Sequence, residues 1–174
     1  MHRSPAADPA RRHIAHGSLV TDSPAATRAV GRALGAAAGP GTVLALIGPL
    51  GAGKTQLAKG VADGLGVTSV VNSPTFVLMN EHAGRLRLYH IDAYRLGEPN
   101  EAAAAGLFDE RQAFGVSVIE WAERLAEDLP DERLEIVIEP DATHDDRRTL
   151  RWTATGAAHA GLADDAFTNG SRIR

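Results

Sequence analysis

The 174-residue sequence predicts an α/β fold, three layers built around a central, mostly parallel sheet. Three observations predict it. Short apolar runs of strand length recur between turn signals, and helical stretches fall between them. One run, Val43 to Ile47, is apolar at every position, the pattern of a strand covered on both faces.

Residues 1–17 mix Pro, Ala, Arg and His without periodicity and are expected to form a flexible N-terminal segment. The folded domain is expected to span residues 18–154. Asp22 or Ser23, followed by Pro24, is a helix start: a side-chain oxygen caps free amides and proline suits the first turn. Ala26, Val30, Ala33, Leu34 and Ala37 then recur at helical spacing, and Gly39-Pro40-Gly41 ends the helix near Ala38. After the buried strand come a glycine-rich loop and a helix. Further strand-like runs are Ser69 to Val71, Phe76 to Met79, Leu86 to Ile91, Val116 to Ile119 and Leu134 to Ile138. Weaker helical stretches lie around Glu98 to Ala105 and Trp121 to Asp128. Thr149 to Thr153 suits an edge strand. Residues 155–174, small and polar, offer no clear core-facing period and are expected to be a disordered tail.

Apolar residues make up 44% of the chain and charged residues 23%, a balance suited to a globular fold. A net charge of −4 gives no basic field able to hold a nucleic acid by counterion release, so a partner is expected to do that where RNA is involved. The absence of cysteine excludes disulfides, thiolate metal sites and cysteine nucleophiles. No apolar run reaches the ~18 residues of a membrane span and no signal-peptide core precedes the domain, so a cytoplasmic location is expected.

Gly48-Pro49-Leu50-Gly51-Ala52-Gly53-Lys54-Thr55 has the phosphate-loop pattern directly after a predicted buried strand, which extends the prediction to a P-loop NTPase fold. Gly51 and Gly53 let the backbone curl so that amide hydrogens converge at a helix N-terminus, where the dipole also favours an anion. Lys54 is placed to reach the terminal phosphates and Thr55 to offer its hydroxyl to Mg2+. Lys54 and Lys59 are the only lysines in an arginine-rich chain, consistent with a cradle that needs a compact ammonium. Such a site also needs an acid at another strand end. Glu120, closing Val116 to Ile119, projects from the carboxyl edge of the sheet; a solvated carboxylate is the bland alternative. In His90-Ile91-Asp92-Ala93-Tyr94-Arg95, alternation puts His90 and Asp92 on one face, where Asp92 can orient a water, as Glu120 also can, and His90 or Arg95 tune it; a helix cap by Asp92 and a surface ion pair by Arg95 are equally open. No Asn-Lys-x-Asp tetrapeptide for guanine is present, which favours ATP.

The motifs GPLGAGKT (48–55), SPTF (73–76), HIDAYRL (90–96) and IEW (119–121) occur in the order and spacing of the TsaE family, which residues 18 to about 140 resemble. The resemblance implies a cytoplasmic ATPase that works with TsaB and TsaD in threonylcarbamoylation of adenosine 37 of tRNAs reading codons that begin with A, meeting tRNA through the complex. It implies that Leu50 to Thr55 hold phosphate, that Thr55 and Glu120 hold Mg2+, that Asp92 is an acid needed for activity, and that Trp121 is the tryptophan beside the acid. Ser73-Pro74-Thr75 resembles a switch-like loop with the Thr75 hydroxyl near the γ-phosphate, and a plain strand-entry turn is its structural alternative. Three places depart from the family pattern or match it loosely: Pro49 stands where aspartate is common, one of Arg147 and Arg148 matches an arginine near the nucleotide, and Pro24 and Thr27 leave mostly apolar and backbone contact for adenine. Rival readings are a small-molecule kinase, for which no lid segment appears, and a non-catalytic ATP-dependent assembly module.

Overall fold

A computed structural model describes residues 13–74, 78–96, 98 and 101–170. Seven strands form one sheet: β1 (Ile14–Thr21), β2 (Val43–Ile47), β3 (Met79–His82), β4 (Leu88–Asp92), β5 (Val116–Glu120), β6 (Arg133–Pro140) and β7 (Arg148–Thr155). Their order is β1-β7-β6-β2-β5-β4-β3. The four central strands β6, β2, β5 and β4 run parallel, while β1/β7, β7/β6 and β4/β3 are antiparallel. The sheet is therefore mixed, with its parallel part confined to the middle, where both faces are covered.

On one face lie α1 (Pro24–Ala37), α2 (Lys54–Gly64) and α4 (Ala157–Gly170), packed on Leu44, Leu46, Leu88, Val118, Ile136 and Leu150. The opposite face, carrying Val43, Ala45, Ile91 and Ile119, is covered by Ala102 of the single-turn α3 (Glu101–Ala104) and by Leu107, Ala122, Leu125 and Leu129 in and around the 3-10 turns that follow. Three layers result, one of them thin.

Local chemistry accounts for the boundaries. Ser23 caps α1, its Oγ accepting from the Ala26 amide at 3.0 Å, with Pro24 in the first turn. Arg85 closes the other end by donating to the carbonyls of Gly35 and Ala38, both at 2.9 Å. Helices α1 and α2 cross through glycine. A Cβ on Gly31 would stand 2.2 Å from the Leu57 oxygen, and one on Gly60 would stand 2.1 Å from the Arg28 oxygen. Only hydrogen fits at this crossing.

Several expectations need correction. The domain does not begin at Ser18, because β1 starts at Ile14 and pairs along its length with β7. Thr149 to Thr153 is not an edge: β7 lies between β1 and β6. The disordered tail expected over 155–174 gives way at 157–170 to α4, which buries His159, Ala160, Leu162, Ala163, Ala166 and Phe167, while 171–174 lie outside the described residues. Phe167 stacks on Trp152 with ring centroids 5.1 Å apart. Ser69 to Val71 forms no strand, and the Trp121 to Asp128 stretch is two 3-10 turns, Ala122–Arg124 and Ala126–Asp128, in place of an α-helix. The expected strand from Phe76 begins outside the described residues; its described counterpart is β3.

Candidate functional site

At the carboxyl edge of the parallel strands, β2 ends at Ile47 and the chain turns through residues 48–53 into α2. Gly51 (φ +76°) and Gly53 (φ +109°) are left-handed, a conformation that costs a side-chain-bearing residue ~1 kcal/mol or more. Gly53 is the residue preceding α2 and supplies no side-chain cap, so the first amides of the helix stay available to a ligand. Gly48 also requires glycine, since a Cβ would lie 2.6 Å from the Ile138 oxygen.

Lys54 begins α2 and is only 5% exposed. Its Nζ donates to the carbonyls of Gly48 and, at 2.9 Å, Pro49, and sits 3.8 Å from the centroid of the Trp121 ring. Burial lowers the lysine pKa from its ordinary value, and the negative charges of Glu120, Glu123 and Asp92 oppose that shift. Trp121 follows β5 with φ +57°, an unusual conformation for a bulky side chain. It is half-buried and forms one wall of the site, with Tyr94 against it at 5.0 Å.

Parallel pairing sets Asp92 beside Glu120, and alternation turns both toward the face that carries α2. Glu120 is 3% exposed. Thr55 Oγ1 donates to its Oε2 at 3.0 Å, joining two elements 65 residues apart, and His90 Nε2 lies 2.8 Å from Oε1. Asp92 is half-buried; its Oδ2 accepts from the Ser73 hydroxyl at 2.6 Å and its Oδ1 from the Tyr94 amide at 2.9 Å, a local turn and not a helix cap. The resulting cleft, about 460 Å3, is lined by Leu50 to Gln56, Ser73, Asp92, Tyr94, Glu120 and Trp121.

Leu50, Gly51, Ala52, Gly53, Lys54, Thr55, Asp92, Glu120 and Trp121 are thus brought together around one cleft. Pro24 is not in this cleft. It borders an adjoining recess of about 130 Å3 with Thr27, Gly51 to Gly53, Gln56, Asp146 and Arg148. Thr75 lies outside the described residues. Of the two arginines, Arg148 reaches the loop, donating to the Ala52 oxygen at 2.9 Å and the Gly51 oxygen at 3.3 Å, whereas Arg147 pairs with Asp22. Gln56 was missed, although its place one residue beyond the loop motif marks it as a cleft neighbour.

The residues fit a phosphate group bound with a hard divalent cation. Uncapped amides and an ammonium meet the anion, and a hydroxyl beside a buried carboxylate is an oxygen donor pair of the kind that such a cation takes. Among the described residues no group of three or more His, Asp and Glu side chains could hold a metal ion.

Fold and site define an α/β protein organised around a glycine-rich loop at the carboxyl edge of its parallel strands. The family model described as "Threonylcarbamoyl adenosine biosynthesis protein TsaE" matches residues 21–150. The chain belongs to the TsaE family. The tRNA threonylcarbamoyladenosine biosynthesis protein TsaE of Bacillus subtilis (strain 168) is 44% identical over 146 residues, covering 83% of this chain and 90% of that one. The protein of the same name from Mycobacterium tuberculosis (strain ATCC 25618 / H37Rv) is 38% identical over 136 residues, 73% of this chain and 80% of the relative. In a crystal structure of YdiB from Bacillus subtilis, 97% of the chain superposes on 90% of this one with a TM-score of 0.74 and 36% identity. Among the described residues no helix is long and apolar enough to cross a membrane.

Proposed function

We propose that this chain is the ATP-binding, Mg2+-dependent ATPase subunit that acts with TsaB and TsaD in forming threonylcarbamoyladenosine at position 37 of tRNAs reading codons that begin with A. The observation that carries the ATPase reading is the Thr55–Glu120 contact at the mouth of the glycine-rich loop. The partners and the tRNA target rest on family membership. The location is then cytoplasmic.

The loop amides and Lys54 stabilise negative charge on the phosphates, the largest contribution available to a site whose reaction needs little covalent help from the protein. Thr55 and Glu120 would hold Mg2+, which would supply positive charge against the negative charge of the phosphates. Asp92 orients the attacking water, because it is half-buried and open to the cleft while Glu120 is only 3% exposed and is assigned to the cation. The Thr75 hydroxyl is assigned to the γ-phosphate, and Pro24 to the edge of the adenine pocket. Trp121 walls the cleft and holds Lys54 through its ring. No arginine lines the main cleft among the described residues, so turnover in isolation is slow and a partner completes the site.

The test is equilibrium binding of a fluorescent ATP analogue together with phosphate release, for wild type, Lys54→Ala, Thr55→Ala and Glu120→Ala. Lys54→Ala loses binding; Thr55→Ala and Glu120→Ala lose the part of the affinity that depends on Mg2+. Absence of ATP binding by the wild-type chain, or unchanged binding by Lys54→Ala, would refute the reading.

A further inference from the structure

His90 is completely buried on β4, on the same face as Asp92 and one step further from the strand end. Its Nε2 lies 2.8 Å from Glu120 Oε1, and its Nδ1 has no hydrogen-bond partner. Only one tautomer suits these surroundings. A proton on Nδ1 would be a buried donor without an acceptor, and Nε2 would then turn a lone pair on a carboxylate oxygen. With the proton on Nε2, the ring donates to Glu120, and the bare Nδ1 is an acceptor, which burial penalises less than an unpaired donor.

We infer that His90 is a positioning residue that pins Glu120 Oε1 and so presents Oε2 to Thr55 and to the cation of the nucleotide complex. The inference rests on the proposed Mg2+-nucleotide reading of the cleft. Glu120 closes its strand, and beyond the strand end its carboxylate has Asp92 on the adjacent strand and the Lys54 charge nearby as competing influences. Thr55 Oγ1 alone does not fix it, being 3.0 Å from one oxygen and 3.2 Å from the other. The imidazole removes that ambiguity by engaging one oxygen from the buried side. A hydrophobic side chain would fill the same space without doing so. A side chain that hydrogen-bonds a cation-holding carboxylate belongs to the outer shell of the site, whose members set the orientation of the groups nearest the ion.

The experiment measures ATP affinity in Mg2+ and in EDTA for wild type, His90→Ala and His90→Gln; the Gln amide nitrogen reaches about as far as Nε2. His90→Ala should lose about tenfold or more of the gain in affinity that Mg2+ provides, with affinity in EDTA little changed. His90→Gln should recover most of it. A full Mg2+ gain in His90→Ala, an equal loss in EDTA, or no recovery in His90→Gln would each overturn the assignment. If His90→Ala does not fold, nitrogen NMR of the wild-type histidines decides: an Nε2-protonated His90 supports the role and an Nδ1-protonated one refutes it. Should wild type show no Mg2+ gain at all, the nucleotide reading fails first and this role falls with it.

Discussion

Replacing Gly60 by alanine tests whether the α1–α2 crossing holds the glycine-rich loop in place. The added Cβ would stand 2.1 Å from the Arg28 oxygen, where ordinary contact begins at 3.4 Å, so the helices must part by about 1.3 Å. All three nearest obstacles are backbone, the others being the Arg32 nitrogen and the Gly31 Cα at 2.9 Å, and no rotamer change relieves them. Overpacking of this kind costs about 3 kcal/mol at the upper end of its usual range. Alanine returns about 1 kcal/mol of helix propensity in the interior of α2. The net loss is about 2 kcal/mol, a fall in Tm of about 4–8 °C for a chain of this size. Gly161 in α4 provides the control, since nothing lies within 4 Å of its added Cβ. Gly161→Ala keeps the propensity gain alone and should raise Tm by about 2–4 °C. Thermal unfolding followed by circular dichroism measures both. Because α2 begins with Lys54 and Thr55, Gly60→Ala should also weaken ATP binding below Tm. A Gly60→Ala protein as stable as wild type would refute the close-crossing account.

Arg148→Ala should lower ATP affinity about tenfold, or about 1.4 kcal/mol, by freeing the Gly51 and Ala52 carbonyls, while Arg147→Ala, which breaks only an exposed pair with Asp22, should change it little; titration calorimetry separates them. Asp92→Asn should retain ATP binding and slow hydrolysis by about a hundredfold or more, whereas parallel losses of both would remove its assigned role in orienting water. His159 accepts a hydrogen bond from the Val43 amide at 3.0 Å, and burial depresses its pKa below 6.5 with Glu132 opposing. A depressed folded pKa gives stability that is complete above about pH 6.5 and lost as pH falls toward the folded value. Tm measured from pH 8 to 5.5 should therefore decline in wild type and decline less in His159→Gln. The Asp141 carboxyl, held down to about 2 by the Thr143 amide and hydroxyl, gives stability that is complete above pH 3.8 and lost only as pH falls from there toward about 2, so it does not change across that range.

The glycine-rich loop was legible because motif and context coincide: an unbroken apolar strand precedes Gly48 and a helix follows Gly53. Glu120 and Asp92 were legible as polar endings of apolar runs, and parallel pairing does place them side by side. The C-terminal helix was hidden by its own composition. Its buried positions 159, 160, 162, 163, 166 and 167 follow helical spacing, yet three are alanine and one is histidine, so contrast with the exposed face is low. Strand β1 was obscured by His16 and Gly17, and Gly17 proves necessary where Trp152 presses within 2.7 Å of an added Cβ. Val70 has the side chain of a strand residue but is 80% exposed and pairs with no strand of the sheet. The choice between Arg147 and Arg148 depended on one residue of register, which only the start of β7 decides. A signal that was present and unread is the four-residue spacing of Gly31 with Gly35 and of Gly60 with Gly64, all four of which meet backbone of the facing helix.

The central claim is that this loop and its two acids drive ATP turnover in support of tRNA modification. The most direct measurement is threonylcarbamoylation of tRNA over many turnovers with matching TsaB and TsaD and supplied threonylcarbamoyl-adenylate, comparing wild type, Lys54→Ala and Glu120→Ala. The account predicts that only wild type sustains turnover and that ATP is consumed as it does so. Equal support from all three chains, or none from wild type while it still binds ATP, would contradict it.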